Sequence, residues 1–211
     1  NGGLLTDTMM LVSIDTSNDQ VAFLSIPRDL YVKIPQLDRM EKINFAYAYG
    51  KDKYNDGLSV SRLAVERVTG INIDYAVAVD FGSFNDLIDT LGGVDVYVPR
   101  DFIETSQWGW EFHVPKGMNH MNSKTALYYV RSRFSSNDFD RSRRQQDVLM
   151  AIGNKIINLK ILSNPVKLNS ILNSLSKGVD TDIDFISMLN LIKYAKLLQS
   201  DKITQFILNY S

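Results

Sequence analysis

The sequence predicts an α/β fold, a layered α/β/α sandwich with a central mixed β-sheet, built as a single domain over residues 1–211. Three observations lead to this prediction: short continuous apolar runs typical of buried strands, segments with apolar residues at helical spacing, and the interleaving of the two along the chain. At 211 residues, 45% hydrophobic and 22% charged, the chain is large enough for one core and has an ordinary globular composition.

The composition also excludes several kinds of site. Cysteine is absent and there are only two histidines, so disulfides, thiolate zinc sites, cysteine nucleophiles and multi-histidine metal sites are excluded. The formal net charge of −1 gives no support for bulk binding to nucleic acid, so any site for an anion must be local. Apolar runs stay shorter than a membrane span, and we expect a membrane anchor, if one belongs to the protein, to lie upstream of Asn1.

The first two predicted strands form an antiparallel hairpin. Residues 8–14 (TMMLVSI) and 21–26 (VAFLSI) are apolar runs joined by the turn-forming DTSNDQ, and proline follows the second run. If Ile14 pairs with Val21, paired residue numbers sum to 35. We therefore expect Asp7 and Arg28 to share the open end of the hairpin.

The middle of the chain predicts a βαβ unit followed by a long irregular excursion. A helix is expected over residues 58–69 and ends at Gly70. A strand over 75–79, a helix over 84–91, two glycines and an alternating strand over 94–98 follow the βαβ pattern.

The second half of the chain predicts further helices and a last strand. Residues 100–123 hold both tryptophans and both histidines with little periodicity, which indicates the irregular excursion. Helices are then expected over 148–159 and 185–198, and a final strand over 203–208.

The stretch YYVRSRFSSNDFDRSRRQQ, residues 128–146, gathers five arginines in a nearly neutral chain. Read as a strand over residues 127–133, it places Arg131 and Arg133 on one face, about 7 Å apart, where like charges repel unless an anion lies between them. A helix then begins near Asp138 or Asp140, either of which is a candidate N-cap.

On that predicted helix, arginine and glutamine occupy the first turns of an otherwise apolar stripe. Arg141 and either Arg144 or Gln145 precede Val148 at helical spacing, whereas Arg143 lies off the stripe and is expected to be solvated. Polar groups on a buried face need partners, so the stretch predicts a pocket for a phosphate-like anion beside a helix N-terminus. The alternative is a solvated basic face with surface ion pairs of little energetic value.

Six blocks of the sequence, in order, resemble the LytR–CpsA–Psr family of bacterial envelope enzymes. They are TDTMMLVSID, FLSIPRDLYVKIP, KINFAYAYG, FNDLIDTLGGVDVYVP, ALYYVRSR and DFDRSRRQQ, spanning about residues 6 to 150. Any single block is weak, but six in the family's order are specific.

The resemblance implies a domain on the extracellular face of the bacterial cytoplasmic membrane, carried by an N-terminal anchor outside this chain. It implies a phosphotransferase that moves a glycopolymer with its phosphate, of the teichoic acid or capsular polysaccharide type. The donor carrier is a polyprenyl diphosphate, the acceptor is peptidoglycan, and Mg²⁺ assists. Nucleic acid is not expected as a partner.

The resemblance also implies the site residues. Asp7 is the expected metal ligand or arginine partner. Arg28, Arg131, Arg133 and Asp138 are the expected catalytic residues, with Asp138 either the general base or a helix cap. The diphosphate ligands are expected to be Arg28, Arg131, Arg133, Arg141, Arg144 and Gln145.

Two departures from the family's pattern affect these expectations. The family often has an arginine two positions before Asp7, where this chain has Leu5, and an upstream aspartate that helps to hold Mg²⁺ would lie before Asn1. The missing arginine keeps a non-catalytic polyprenyl-phosphate binding module open as an alternative. A polyprenyl-diphosphate pyrophosphatase, with water as acceptor, also stays open, because the sequence does not show the acceptor site. Positive charge around non-bridging oxygens suits all three.

Overall fold

The structure is a computed structural model that describes residues 4–37, 39–161, 164, 171, 178–200 and 202–208. Its strands are β1 (Met9–Asp15), β2 (Gln20–Ile26), β3 (Tyr31–Lys33), β4 (Met40–Lys42), β5 (Val77–Val79), β6 (Val94–Val98), β7 (Phe102–Glu104), β8 (Phe112–Val114), β9 (Gly117–Met121), β10 (Val179–Thr181) and β11 (Ile203–Ile207). Its α-helices are α1 (Phe45–Tyr54), α2 (Gly57–Thr69), α3 (Phe81–Thr90), α4 (Ser123–Arg131), α5 (Asp138–Asn158) and α6 (Phe185–Ile192). No helix among these residues is long and apolar enough to cross a membrane.

The hairpin and its register are confirmed. β1 pairs antiparallel with β2, with Met9 opposite Ile26 and Ile14 opposite Val21, so paired numbers sum to 35 as predicted. β11 joins the other edge of β2 in parallel, and the three strands form a mixed sheet in the order β1-β2-β11.

The central strand of this sheet, β2, is covered by helices on both faces, which gives the predicted α/β layering. On one face of β2, Phe23 is 1% exposed and Ser25 bonds to α5 through Gln146. On the other face, Leu24 and Ile26 pack in an apolar cluster with residues of α1 and α2. Full burial of a side chain such as Phe23 contributes about 3 kcal/mol, so the central strand holds the two helical layers together.

A second apolar core lies beneath β6, β9, α3, α4 and the middle of α5. In β6 the residues alternate as predicted, with Val94, Val96 and Val98 buried and Asp95 and Tyr97 exposed. Gly92 and Gly93 lie between α3 and β6 with φ of 71° and 89°, conformations that glycine adopts without steric cost.

The predicted βαβ unit is wrong. β5 pairs antiparallel with β10 and β6 pairs antiparallel with β9, so the two strands that flank α3 belong to different sheets. The strand–helix–strand pattern records order along the chain, whereas a βαβ unit also requires that both strands share a sheet.

The irregular excursion is also wrong, because residues 100–123 contain β7, β8 and β9. Each is three to five residues long, too short to show periodicity. Phe112 and Val114 of β8 are buried, so this region contributes to the second core.

The strand predicted over residues 127–133 is wrong, because residues 127–131 are the end of helix α4 and residues 132–133 follow it. Asn122 caps α4 by accepting from Thr125 N at 2.9 Å, and Ala126 and Tyr129 are its buried residues, one turn apart. The apparent alternation was too short to separate period 2 from period 3.6. Arg131 therefore ends a helix and Arg133 follows it, so the two do not share a strand face.

The C-terminal elements are close to the prediction. The helix predicted over 185–198 divides into α6 and a 3₁₀ helix, Ala195–Gln199, where bonds such as Leu197 N to Tyr194 O (2.9 Å) tighten the turn. The predicted helices over 58–69 and 148–159 correspond to α2 and the second half of α5, and Gly70 follows α2 in the left-handed conformation.

Candidate functional site

The open end of the hairpin brings together Asp7 and Arg28, as predicted. Arg28 Nη1 donates to Asp7 Oδ1, and Asn44 N donates to Arg28 O at 3.2 Å, which fixes the backbone after β2. Asp29 lies beside Arg28 and accepts from Lys42 Nζ at 2.6 Å. That bond holds the pKa of the Asp29 carboxyl below its ordinary value. The turn after β2 therefore presents the Arg28 guanidinium from a fixed backbone.

The N-terminus of α5 faces this end of the sheet. Its cap is Asn137, whose side chain accepts from Asp140 N at 2.7 Å, so the prediction of Asp138 or Asp140 as cap is wrong. Both aspartates instead occupy the first turn, where negative charge suits the helix dipole. One turn along, Arg141 is 8% exposed and its Nη1 lies 3.0 Å from Asp138 Oδ1.

A buried glutamine fixes α5 against the sheet. Gln146 Nε2 donates to Ser25 Oγ at 2.8 Å and to Phe206 O at 2.9 Å, which ties the helix to β2 and β11. Because these bonds hold the helix within two turns of its start, the first turn of α5 lies next to the end of β2.

Between these elements lies a pocket of about 290 Å³, here named the hairpin–helix pocket. Met9, Ile26, Pro27 and Phe139 give it apolar walls. Its charged and amide-bearing residues are Asp7, Arg28, Asp29, Asn137, Asp138, Arg141 and Gln145. The pocket thus combines two arginines, three aspartates and apolar walls.

Two guanidinium nitrogens at this pocket have unused donors. Arg28 Nε and Arg141 Nε are buried and have no hydrogen-bond partner among the described residues. Arg28 Nε does lie 3.5 Å from Asp29 Oδ2, an ion pair too long to count as a hydrogen bond. Buried donors are normally satisfied, so the pocket has the chemistry of a site that a ligand oxygen completes.

The charge balance at Arg141 points the same way. Burial is the main cause that lowers the pKa of Arg141, and the like charges of Arg28 and Arg133 lower it further. Asp138 and Asp7 oppose this shift but do not reverse it. An anion among these three arginines would relieve both the repulsion and the cost of burial.

The two arginines of the R-x-R block lie apart from each other. Arg131 stacks its guanidinium on Phe81, 4.4 Å from the ring centre, and lies 5.7 Å from the Trp108 ring. Arg133 is exposed and lies over the Phe134 ring at 5.0 Å, near enough to Arg141 to affect its pKa. Neither side chain lines the hairpin–helix pocket. Arg133 is thus linked to the pocket through its charge effect on Arg141, whereas Arg131 packs on Phe81 and Trp108, which do not line it.

Arg144, which was predicted as a diphosphate ligand, donates hydrogen bonds to the protein itself from all three guanidinium nitrogens. Its Nε donates to Tyr129 O at 2.8 Å, Nη1 to Ser136 Oγ at 3.0 Å and Nη2 to Ser132 O. Burial lowers its pKa to about 10, so it stays charged at neutral pH. Gln145 lines the pocket and donates to Val130 O at 3.2 Å, which joins the pocket to the end of α4.

Comparison with known proteins agrees with this fold. The sequence pattern of the LytR_cpsA_psr family matches residues 2–211. The chain belongs to the LytR–CpsA–Psr family.

Relatives and solved structures of the family cover most of the chain. The polyisoprenyl-teichoic acid–peptidoglycan teichoic acid transferase TagU of Bacillus mycoides (strain KBAB4) is 30% identical over 93% of this chain and 61% of its own length. TagV of Bacillus subtilis (strain 168), a transferase of the same description, is 35% identical over 84% of this chain and 45% of its own. The chain thus spans about half to three fifths of these relatives.

Two crystal structures show the likeness in three dimensions. The crystal structure of B. subtilis TagV superposes with a TM-score of 0.76 at 33% identity, covering 98% of this chain and 78% of that one. TagT bound to LI-WTA superposes with a TM-score of 0.75 at 25% identity, covering 98% and 74%. These likenesses extend over the mixed sheet and the helices that form the hairpin–helix pocket.

The Mg²⁺ that the resemblance implies would need carboxylate ligands near the hairpin–helix pocket. Among the described residues there is no group of three or more acidic or histidine side chains that could hold a metal. Mg²⁺ commonly takes only one or two carboxylates, with waters and substrate phosphates completing its shell. Asp7 fits that role: its side chain is 42% exposed, and within the described chain only Oδ1 has a partner, Arg28.

Sequence reasoning missed the polar residues that hold the loop between α4 and α5. Glu104 is fully buried and accepts from Ser135 N at 3.1 Å and Ser135 Oγ at 3.0 Å, and Gln107 Oε1 accepts from Arg133 N at 2.8 Å. We name Glu104, Gln107 and Arg144 the loop brace. The stretch ETSQ, residues 104–107, carries no pattern that distinguishes it from surface residues, so only the fold reveals the brace.

Proposed function

We propose that this domain transfers a glycopolymer, with its phosphate, from a polyprenyl-diphosphate carrier to peptidoglycan at the extracellular face of the bacterial cytoplasmic membrane. The observation that carries the proposal is that Arg28 and Arg141 line one pocket and that each has a buried Nε without a hydrogen bond among the described residues. Family membership and relatives described as teichoic acid transferases support a teichoic acid type of polymer, with capsular polysaccharide as the other type in the family.

In this proposal the diphosphate lies between the end of β2 and the first turn of α5. Arg28 and Arg141 contact its non-bridging oxygens from two sides, and the α5 N-terminus adds its partial positive charge. Arg133, whose charge already acts on Arg141, and Arg131 supply further positive charge for the group in transfer, and Gln145 orients it. Arg144 acts indirectly, by holding the loop that carries Arg133.

The same residues suggest how the transfer proceeds. Charge that develops on the leaving polyprenyl phosphate is stabilised by fixed guanidinium groups, and one such contact is worth about 10²- to 10³-fold in rate. Asp138 is the proposed general base: its side chain lines the pocket and is 68% exposed, so an acceptor hydroxyl can reach it. When bound through Asp7, Mg²⁺ would add positive charge at the diphosphate.

Calorimetry with a polyprenyl diphosphate, with and without Mg²⁺, tests the proposal. We expect wild type to bind, Arg28→Met to weaken binding about tenfold or more, and Asp7→Asn to lose the Mg²⁺ dependence. Arg67→Met is the matched control, because Arg67 bonds to Lys33 O at 3.0 Å away from the pocket. No binding by folded wild type would refute the diphosphate site.

A product assay separates transfer from the two alternatives. With a lipid-linked glycopolymer and peptidoglycan, transfer yields polymer attached to peptidoglycan through a phosphodiester. Release of free polymer phosphate, with or without acceptor, would identify a pyrophosphatase. Binding with no turnover in the presence of acceptor and Mg²⁺ would leave a binding module.

A further inference from the structure

We propose that Glu104 is a positioning residue that fixes the loop 132–136 and thereby sets Arg133 near Arg141 of the hairpin–helix pocket. Glu104 is 0% exposed, lies at the end of β7, and falls outside the six blocks that resemble the family. The inference rests on the proposed function, because it assigns Glu104 a role in the binding of the same diphosphate.

The carboxylate of Glu104 joins two loops. Its Oε2 accepts from Phe134 N (3.0 Å), Ser135 N (3.1 Å) and Ser135 Oγ (3.0 Å), all in the loop that carries Arg133. Its Oε1 accepts from Ser106 N (3.0 Å) and Gln107 N (3.3 Å) in its own loop. Five donors converge on one carboxylate, which is the pattern of a charge held for its geometry.

The second of these loops reaches back to the arginines. Gln107 Nε2 donates to Arg131 O at 3.1 Å and its Oε1 accepts from Arg133 N at 2.8 Å, so one amide spans the R-x-R block. Trp108 Nε1 donates to Ser132 Oγ at 3.0 Å between them. Glu104 therefore bonds directly to Phe134 and Ser135. It also bonds to Gln107, whose side chain bonds to the backbone of Arg131 and Arg133.

Arg144 completes the enclosure from α5. It donates to Ser132 O and, at 3.0 Å, to Ser136 Oγ, so the loop is bonded on its inner side as well. Every residue from Ser132 to Ser136 thus has a hydrogen bond to a residue outside the loop. A backbone bonded so densely has little freedom, so the exposed Arg133 side chain projects from a fixed point.

Burial alone would penalise this charge, yet the carboxylate stays ionised. Burial raises the pKa of Glu104, but the backbone N–H groups of Ser106 and Ser135 and the Ser135 hydroxyl outweigh it and leave the pKa below its ordinary value. The loop is therefore braced by an anion, and an amide of the same shape cannot replace it: one amide oxygen can serve only one of the two sets of donors.

The test is Glu104→Gln, measured for affinity to polyprenyl diphosphate and for amide exchange at Phe134 and Ser135. We expect affinity to fall about tenfold as preorganisation is lost and exchange at both amides to rise, with circular dichroism unchanged. Glu111→Gln is the matched control, a glutamate in the same region that is exposed. It should behave as wild type in both measurements.

A double-mutant cycle distinguishes positioning from general destabilisation. If Glu104 acts through Arg133, Glu104→Gln should add little to the loss caused by Arg133→Ala, whereas it should add in full to that of Arg28→Ala. Two results would overturn this inference alone while wild type still binds. One is an affinity of Glu104→Gln equal to that of wild type, and the other is full additivity of the Glu104→Gln and Arg133→Ala losses. Failure of folded wild type to bind would overturn the proposed function and this inference together.

Discussion

Arg141 and Arg144 lie one turn apart on α5, are both nearly buried, and yet have opposite environments. Arg144, in the loop brace, gives all three of its guanidinium nitrogens to oxygens of the protein. Arg141, in the hairpin–helix pocket, has one ion pair with the largely exposed Asp138 and a buried Nε without a hydrogen-bond partner among the described residues. Burial alone does not separate a structural arginine from a ligand-binding one; the number of satisfied donors does.

The difference has a geometric cause. Arg144 points toward the end of α4, where carbonyl groups that no helical bond satisfies need donors. Arg141 points toward the end of β2, where the nearest groups include Arg28, another cation. The protein supplies acceptors for every guanidinium nitrogen of Arg144, whereas it leaves Arg141 Nε without a hydrogen bond among the described residues.

The largest expected effect is on stability at the loop brace. Arg144→Met removes three charge-assisted hydrogen bonds and leaves buried carbonyl oxygens without donors, so the free energy of unfolding should fall by about 3 to 5 kcal/mol. Arg141→Met replaces a poorly satisfied buried cation, so its effect should stay within about 1 kcal/mol. Urea denaturation of both variants checks this, and equal losses would erase the distinction between the two arginines.

The order reverses for ligand binding. Arg141→Met should weaken binding of polyprenyl diphosphate about 10- to 100-fold, because a charged hydrogen bond in a buried site is lost. Calorimetry on the folded variant measures this directly. A variant that binds as wild type would show that the unpartnered Nε does not face the diphosphate.

Two carboxylates near these regions should respond to pH in opposite directions. The folded-state pKa of Glu104 is depressed below 4.5, so its stabilising contribution is present above 4.5 and lost as pH falls through the folded pKa. Burial raises the pKa of Asp147 above 3.8, against a weaker opposing bond from Gln205, so ionised Asp147 costs stability at neutral pH.

Single variants separate these two effects. Glu104→Gln should lower the free energy of unfolding at pH 7 and flatten its decline in acid. Asp147→Asn should raise the free energy of unfolding at pH 7, and its difference from wild type should become smaller near pH 4. Denaturation at several pH values checks both signs. Destabilisation by Asp147→Asn at pH 7 would mean that its bond to Gln205 outweighs the cost of burial.

The smallest expected effect is at Arg143, between the two buried arginines in sequence. Its side chain is exposed, so Arg143→Ala should change the free energy of unfolding by less than about 0.5 kcal/mol and leave ligand affinity unchanged. The same denaturation and calorimetry measurements apply. A clear loss of affinity would mean that the ligand also contacts the outer face of α5, where Arg143 lies.

Periodicity and order along the chain were enough to predict the elements whose signals are local. The β1–β2 register, α2 with Gly70, β6 and the polar start of α5's inner stripe all follow from spacing within a dozen residues. The contact between Asp7 and Arg28 followed as well, because pairing in a hairpin fixes which residues share its open end. Asp138 as a cap failed only because the preceding Asn137 competes for the same role.

Tertiary structure alone decided what the arginines do. The sequence grouped Arg131, Arg133, Arg141 and Arg144 by proximity and motif, but their environments depend on which element each faces, from Phe81 of α3 to the end of β2. Glu104 had no signal at all, since its five donors come from residues up to 31 positions away. Charge and pattern are local properties that a sequence displays, whereas hydrogen-bond satisfaction is a property of neighbours that only the folded chain assembles.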